Sequence, residues 1–270
     1  MIFDRRRQPG GEQRKLRLID DNAPFAFVEA YNALRTNVDF LAATNKYKSI
    51  LITSSGPWDG KSTVSINLAA ALANSGKRVI LIDADFRKAS VATYLKISRS
   101  APGITSVLAE DKLLQNVIVR KPELKFDVLP VGALPPNPAE LVGSTALMSM
   151  LQLLSELYDF VLVDSPPVSV VTDAAILSRM VDGVILVARA DETTKQALNI
   201  SKKNLQDVNA NILGVVLNDF NARAHAYGGG YYRSYYRGYS YRYGYGYGER
   251  PSKKKDAKKQ ARKTKTKDDA

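Results

Sequence analysis

The segment Thr53-Ser54-Ser55-Gly56-Pro57-Trp58-Asp59-Gly60-Lys61-Ser62-Thr63 follows a short aliphatic run and opens an amphipathic stretch. It fits G-x-x-x-x-G-K-[ST], with Ser55 where the first glycine usually stands. A loop of this kind, set between a strand and a helix, turns backbone N–H groups and the positive end of the helix toward phosphate oxygens. Lys61 is then placed to reach β and γ phosphates, Ser62 to ligate Mg²⁺, and Thr63 to bond an α-phosphate oxygen. Ser55, Gly56, Pro57, Trp58, Asp59 and Gly60 form the rest of the nucleotide cradle, and Asn218, ending the last apolar run, joins them. Trp58 either packs against the nucleotide or shields the loop. A chance Gly-Lys-Ser-Thr at a helix start is the competing reading; the strand before it and the helix after it argue against chance.

Two more aliphatic runs end in acids. Val79-Ile80-Leu81-Ile82 leads into Asp83-Ala84-Asp85-Phe86-Arg87, and Phe160-Val161-Leu162-Val163 leads into Asp164-Ser165-Pro166-Pro167. One aspartate at a strand end is often only a helix cap; three accompanying a phosphate loop are harder to explain that way. Acids gathered at a site for triphosphate are costly unless a cation sits among them, and Mg²⁺ takes hard oxygen ligands while keeping several waters. Ser62, Asp83, Asp85 and Asp164 are therefore the candidate Mg²⁺ set. Arg87 either holds phosphate or the acids in place, or makes a structural salt bridge.

The elements that must position these residues are legible in the hydrophobic pattern. Near-continuous apolar runs at 49–54, 78–83, 126–131, 160–164, 183–189 and 212–218 are short, rich in Val and Ile, and bounded by Gly, Pro or Asp. Such runs predict strands buried on both faces of a parallel sheet. Helical patterns lie between them at 61–75, 145–157, 173–181 and 193–208. A first helix is expected where Asp21 and Asn22 supply a cap, Pro24 suits the first turn, and Phe27, Val28, Tyr31, Leu34, Val38 and Leu41 recur at helical spacing. Alternation of this kind predicts an α/β fold with a doubly wound, mostly parallel sheet flanked by helices, joined by right-handed crossovers. Ligands of such sheets sit at the carboxyl ends of the strands, where the motifs above fall.

Composition removes other chemistries. The 270 residues contain no cysteine and one histidine, which excludes disulfides, thiolate zinc sites and any metal cluster built on several histidines. No run approaches the roughly 18 apolar residues of a membrane span. The start, Met1-Ile2-Phe3-Asp4-Arg5-Arg6-Arg7, has no signal-peptide core after it, so a cytoplasmic location is expected. The net charge of +12 is concentrated at one end: residues 221–270 hold 14 Lys and Arg against 4 Asp and Glu, leaving 25 against 23 elsewhere. Three regions follow: a flexible basic lead-in over 1–21, a folded domain over 22–220, and a basic tail over 221–270. With almost no aliphatic side chains, the tail cannot offset the entropy of ordering and is expected to be disordered.

The phosphate loop, Asp83-x-Asp85-x-Arg87 after an aliphatic run, and Asp164-Ser165-Pro166-Pro167 together resemble the bacterial tyrosine kinases of capsule and exopolysaccharide systems. Glu29-Ala30-Tyr31-Asn32-Ala33-Leu34-Arg35, Leu134-Pro135-Pro136-Asn137-Pro138-Ala139-Glu140-Leu141 and the tyrosine-rich terminus support the match, which spans about 25–220. The resemblance implies a P-loop fold of the MinD/ParA-like kind and an ATP- and Mg²⁺-dependent protein-tyrosine kinase. Its motifs are the family's Walker A, A′ and B. It implies Lys61, Asp83, Asp85 and Asp164 as catalytic residues, with Asp83 a candidate for accepting the tyrosine proton. It also implies a ring-like homo-oligomer using Glu29, Asn32 and Arg35, where Asn32 departs from the family's Glu-x-x-Arg-x-x-Arg; an ordinary solvated helix face is the alternative. The further partners it implies are a membrane adaptor of the polysaccharide co-polymerase type, a cognate tyrosine phosphatase, and polysaccharide-synthesis enzymes as substrates. The kinase is then peripheral at the inner face of the membrane.

Ten of the 14 tyrosines fall in one stretch: Tyr227, Tyr231, Tyr232, Tyr235, Tyr236, Tyr239, Tyr241, Tyr243, Tyr245 and Tyr247. Tyr/Gly/Arg interleaving fits stacking on single-stranded nucleic acid, self-association or a plain linker. Beside a kinase domain it fits autophosphorylation, since a disordered run of exposed hydroxyls is an accessible acceptor. The competing function is a partitioning or septum-site type ATPase that switches assembly, its basic tail binding nucleic acid or acidic membrane. Those proteins carry a second lysine five residues before the loop lysine; here that position is Gly56.

Overall fold

The computed structural model describes residues 17–20, 22–98 and 100–220. Its helices and strands are, in chain order, α1 (Phe25–Asn45), β1 (Ser49–Ser54), α2 (Lys61–Asn74), β2 (Val79–Asp83), α3 (Val91–Tyr94), α4 (Ile104–Leu108), β3 (Val119–Arg120), β4 (Asp127–Leu129), α5 (Pro138–Val142), α6 (Thr145–Leu157), β5 (Phe160–Asp164), α7 (Asp173–Leu177), β6 (Gly183–Arg189), α8 (Lys195–Gln206) and β7 (Ile212–Asn218). The seven strands run in the order β3-β4-β2-β5-β1-β6-β7, all pairs parallel except β3 with β4. The doubly wound, mostly parallel sheet expected from the alternating pattern is the observed architecture.

Strand side chains alternate between two cores. Leu51, Ile80, Ile82, Val161, Val163, Val184 and Leu186 pack on one face with α6 and α7 through Leu147, Leu151, Leu154 and Leu177. Ile50, Ile52, Leu81, Leu162, Ile185 and Val187 pack on the other with Val64, Leu68 and Leu72 of α2 and Val38 of α1. Every residue of β1, β2 and β5 is buried, so their continuous apolar runs are what a two-sided environment demands.

β7 departs from the expectation of burial on both faces. It is an edge strand, and its Val215 and Leu217 are each 51% exposed. The expected strand over 126–131 closes at Leu129, because Pro130 has no N–H for the ladder. The carbonyls of Pro130 and Val131 instead take the N–H groups of Ile104 and Thr105. The two-residue β3 is too short to leave a periodic signal.

α1 begins at Phe25 with Pro24 at its N-cap and no side-chain cap; Asn22 instead donates its N–H to Asp20, and Asp21 lies outside the described residues. Residues 17–20, assigned to the lead-in, run beside α2. The Asn67 side chain donates to the Arg17 carbonyl and accepts from the Ile19 N–H. No helix among the described residues is long and apolar enough to cross a membrane.

Candidate active site

Register brings the acids together. β2 and β5 are neighbours with Asp83 opposite Asp164, and Asp164 is also opposite Ile52 of β1, three residues before Ser55 at the start of the phosphate loop. Both carboxylates thus stand at the carboxyl edge of the sheet, beside the N-terminus of α2. Asp83, Asp85 and Asp164 are all buried.

Lys61 neutralises this cluster. Its Nζ lies 3.1 Å from Asp85 Oδ2 and 3.5 Å from Asp164 Oδ2. Burial pulls the Lys61 pKa down, but Asp164, Asp85 and Asp83 outweigh it and raise the pKa above the usual lysine value. Ser62 Oγ donates to Asp164 Oδ2 at 2.6 Å and lies 2.9 Å from Ser90 Oγ. Ser65 Oγ stands 3.0 Å from Asp164 Oδ1. Burial raises the Asp164 pKa despite Lys61 and these hydroxyls. Asp83 accepts from the N–H groups of Asp85, Ser90 and Val91. Burial and the charge of Asp164 still push it up to about 7.

The loop itself is cross-braced. The Gly56 N–H donates to Asp59 Oδ2 at 2.7 Å, Thr193 Oγ1 donates to Asp59 Oδ1 at 2.9 Å, and Asn218 Nδ2 donates to the Asp59 carbonyl at 2.9 Å. Gly60 takes φ +93°, which only glycine adopts without strain. Pro57 is exposed, and Thr63 sits in the first turn of α2, its carbonyl accepting from Asn67. Ser55 Oγ is buried without a protein partner, an orphaned polar atom at the base of the loop. The residues expected from the motif are therefore gathered at one place.

Arg87 is bound to Asp173: its Nε and Nη2 donate to the two carboxylate oxygens at 2.8 and 2.9 Å. Of the two roles open to it, this geometry is the structural salt bridge. Glu29 accepts from Asn32 Nδ2 at 2.9 Å and Arg35 lies 4.0 Å from Asp39, so the α1 trio is satisfied locally. The ten tail tyrosines lie outside the described residues.

Sequence reasoning missed Ser65, Ser90, Thr193 and Asp173. Ser65 was the findable one: it follows Ser62 by one helical step in a segment otherwise lined with buried apolar residues.

No three His, Cys, Asp or Glu side chains among the described residues are grouped to hold an ion unaided. The donors fit Mg²⁺ all the same. A buried serine hydroxyl beside carboxylates supplies hard oxygens for an ion that takes its remaining ligands from phosphate and water.

A doubly wound parallel sheet with a phosphate loop after its central strand and acids at the adjoining strand ends is a P-loop nucleotide-binding domain. Residues 48–214 match the family described as AAA domain. Tyrosine-protein kinase YwqD of Bacillus subtilis is 37% identical over 203 residues, covering 75% of this chain and 85% of its own. The kinase domain of Escherichia coli tyrosine kinase ETK superposes with a TM-score of 0.71 at 34% identity, covering 78% of this chain and 86% of that one. The septum site-determining protein MinD of Pyrococcus horikoshii OT3, complexed with Mg-ADP, gives a TM-score of 0.56 at 26% identity over 64% of this chain and 71% of its own. The chain belongs to the bacterial tyrosine kinase family and is a protein-tyrosine kinase.

Proposed function

We propose that this kinase transfers the γ-phosphoryl of Mg-ATP to its own C-terminal tyrosines, Tyr227 to Tyr247, on a neighbouring copy. The observation that carries the reading is the ion cluster of Lys61 with Asp83, Asp85 and Asp164 in a chain that also holds ten clustered tyrosines. In the step, the phenolic oxygen bonds to the γ phosphorus. The bond from that phosphorus to the β–γ bridging oxygen breaks, its electron pair leaving on ADP. The phenolic proton passes to Asp83, whose pKa of about 7 suits a general base at neutral pH. Phosphoryl transfer proceeds through a loose transition state, so positioning and charge neutralisation do most of the work. Lys61 supplies the cation at the γ phosphate. Ser62, Asp85 and Asp164 would hold Mg²⁺, largely through its waters, and the ion when bound neutralises phosphate charge. The Mg-ADP complex of the MinD relative supports that donor.

A Gly-rich linker of about 20 residues spans on the order of 25 Å, which supports reaching a neighbouring protomer. Tethering keeps the acceptor near millimolar concentration, so each tyrosine needs little affinity of its own. Each phosphate adds roughly −1.5 to −2 of charge, enough in sum to reverse the basic tail and loosen a ring of copies. A membrane adaptor that activates the kinase, a phosphatase that resets it and polysaccharide-synthesis enzymes as further substrates complete the reading. The kinase then works at the inner face of the membrane.

Incubation with MgATP and a cytoplasmic adaptor segment is expected to put phosphotyrosine on tail peptides, and Lys61→Met to abolish it. Mixing Lys61→Met protein with an active chain lacking 221–270 is expected to label the Lys61→Met tail, which only transfer between copies allows. ATP hydrolysis with no phosphotyrosine, and salt-sensitive DNA binding lost on deleting 221–270, would instead make the protein an assembly-switching ATPase.

A further inference from the structure

Trp58 is the chain's single tryptophan, and it sits bare in the middle of the phosphate loop, 74% exposed. Its backbone has φ +71°, a left-handed conformation that a bulky L-residue adopts only where its surroundings hold it. The surroundings do so here. Arg189 Nη1 donates to the Trp58 carbonyl at 3.5 Å, and the next residue, Asp59, is fastened at its side chain and carbonyl by Gly56, Thr193 and Asn218. An indole displayed in a strained, braced conformation needs a reason, since packing does not supply one.

The ring is connected to the reacting end of the site. Lys88 Nζ lies 4.5 Å from its centroid, a cation–π contact on one face. The Lys88 N–H donates to Asp85 Oδ1 at 2.9 Å, and Asp85 Oδ2 lies 3.1 Å from Lys61 Nζ. The indole therefore stands two side chains from the ammonium that meets the γ phosphate. The base of a bound nucleotide lies at the other end of the triphosphate. What must approach the γ end is the acceptor.

We propose that Trp58, with Lys88 behind it, is the subsite that docks the aromatic ring of the acceptor tyrosine. Its free face offers stacking or edge-on contact to a phenol. Lys88 already places a positive charge on the ring, so a second cation is repelled. The subsite thus selects the tyrosine rather than the arginine of a Tyr-Gly-Arg segment. The inference rests on the kinase activity of the chain and is independent of whether the tail is its natural target.

The test uses the full chain and an exogenous peptide copying residues 231–241, in excess over the tail. Trp58→Gly suits the left-handed backbone, so the variant keeps its fold. It is expected to raise KM for the peptide about three- to tenfold, the range an aromatic pair contributes. The proportional rise in peptide KM should exceed any change in the KM for ATP, and Trp58→Phe should restore most of the loss. In the wild type with a non-hydrolysable ATP analogue, the peptide should protect Trp58 fluorescence from acrylamide, and its Tyr→Ala counterpart should not. A rise in KM for ATP alone, an unchanged peptide KM, or equal protection by the tyrosine-free peptide would overturn the assignment. Loss of labelling on the tail with the peptide result intact would count against the tail reading and not against the subsite.

Discussion

A Cβ added to Gly60 would stand 2.0 Å from Asn218 Nδ2, so the last residue of β7 is pressed against the last glycine of the phosphate loop. Asn218, assigned from sequence to the nucleotide, acts through the loop backbone by holding the Asp59 carbonyl. Gly60→Ala must therefore move Asn218 and also bear a left-handed backbone, a combined cost of about 1–3 kcal/mol. Nucleotide affinity should fall by roughly tenfold or more, at 1.4 kcal/mol per decade. Asn218→Ala loses one hydrogen bond and should cost about 1 kcal/mol. Titration with a fluorescent ATP analogue and urea unfolding check both; a Gly60→Ala chain with wild-type affinity would show that the loop tolerates displacement.

Asp83 sets a pH dependence whose sign can be worked out. Its folded pKa of about 7 lies above the ordinary carboxylate value of 3.8. Between those two values the native state holds a proton that the unfolded chain has released, so stability falls as pH rises across that window. Asp164 is shifted the same way and adds to the slope. Denaturation of the nucleotide-free chain in EDTA should therefore show less stability at pH 7.5 than at pH 5. Asp83→Asn should flatten the slope, and an identical slope would mean that Asp83 ionises normally in the folded state.

Arg87 and Asp173 predict a stability effect rather than a nucleotide effect. Asp173 is fully buried and takes both its charged hydrogen bonds from a side chain that is itself 40% exposed. Arg87→Ala leaves that carboxylate without its cation, at a cost of roughly 2–3 kcal/mol once exposure is allowed for. The loss should appear equally with and without MgATP in thermal unfolding. A loss seen only in nucleotide affinity would return Arg87 to the phosphate.

Much of this arrangement was legible because its signals are local. The phosphate loop is one contiguous string, and β1, β2, β5 and β6 each carry an unbroken run of apolar residues because both faces are covered. The juxtaposition of Asp83 with Asp164 was not legible in the same way. It depends on β2 and β5 being neighbours in one particular register, although their chain positions are far apart. Thr193 and Ser90 carry no signal of their own, being common residue types whose importance comes from what they reach. β7 reads like a buried strand because its residues are aliphatic; only its place at the sheet edge exposes them.

Ser65 supplies the last prediction. Its hydroxyl lies 3.0 Å from Asp164 Oδ1 and 2.9 Å from the Lys61 carbonyl, and it is fully buried. It can donate to only one of them at a time, and the carboxylate is the stronger acceptor. Ser65→Ala then removes a bond to a buried charge, costing about 1–3 kcal/mol of stability. The same change should raise the Asp164 pKa further, since that bond is one of the influences holding it down. The variant's deficit in urea unfolding is therefore expected to be largest near pH 8 and to shrink as Asp164 takes up its proton at lower pH. Ser65→Thr keeps the hydroxyl and should recover part of the loss. A deficit that does not change with pH would assign Ser65 to helix packing alone.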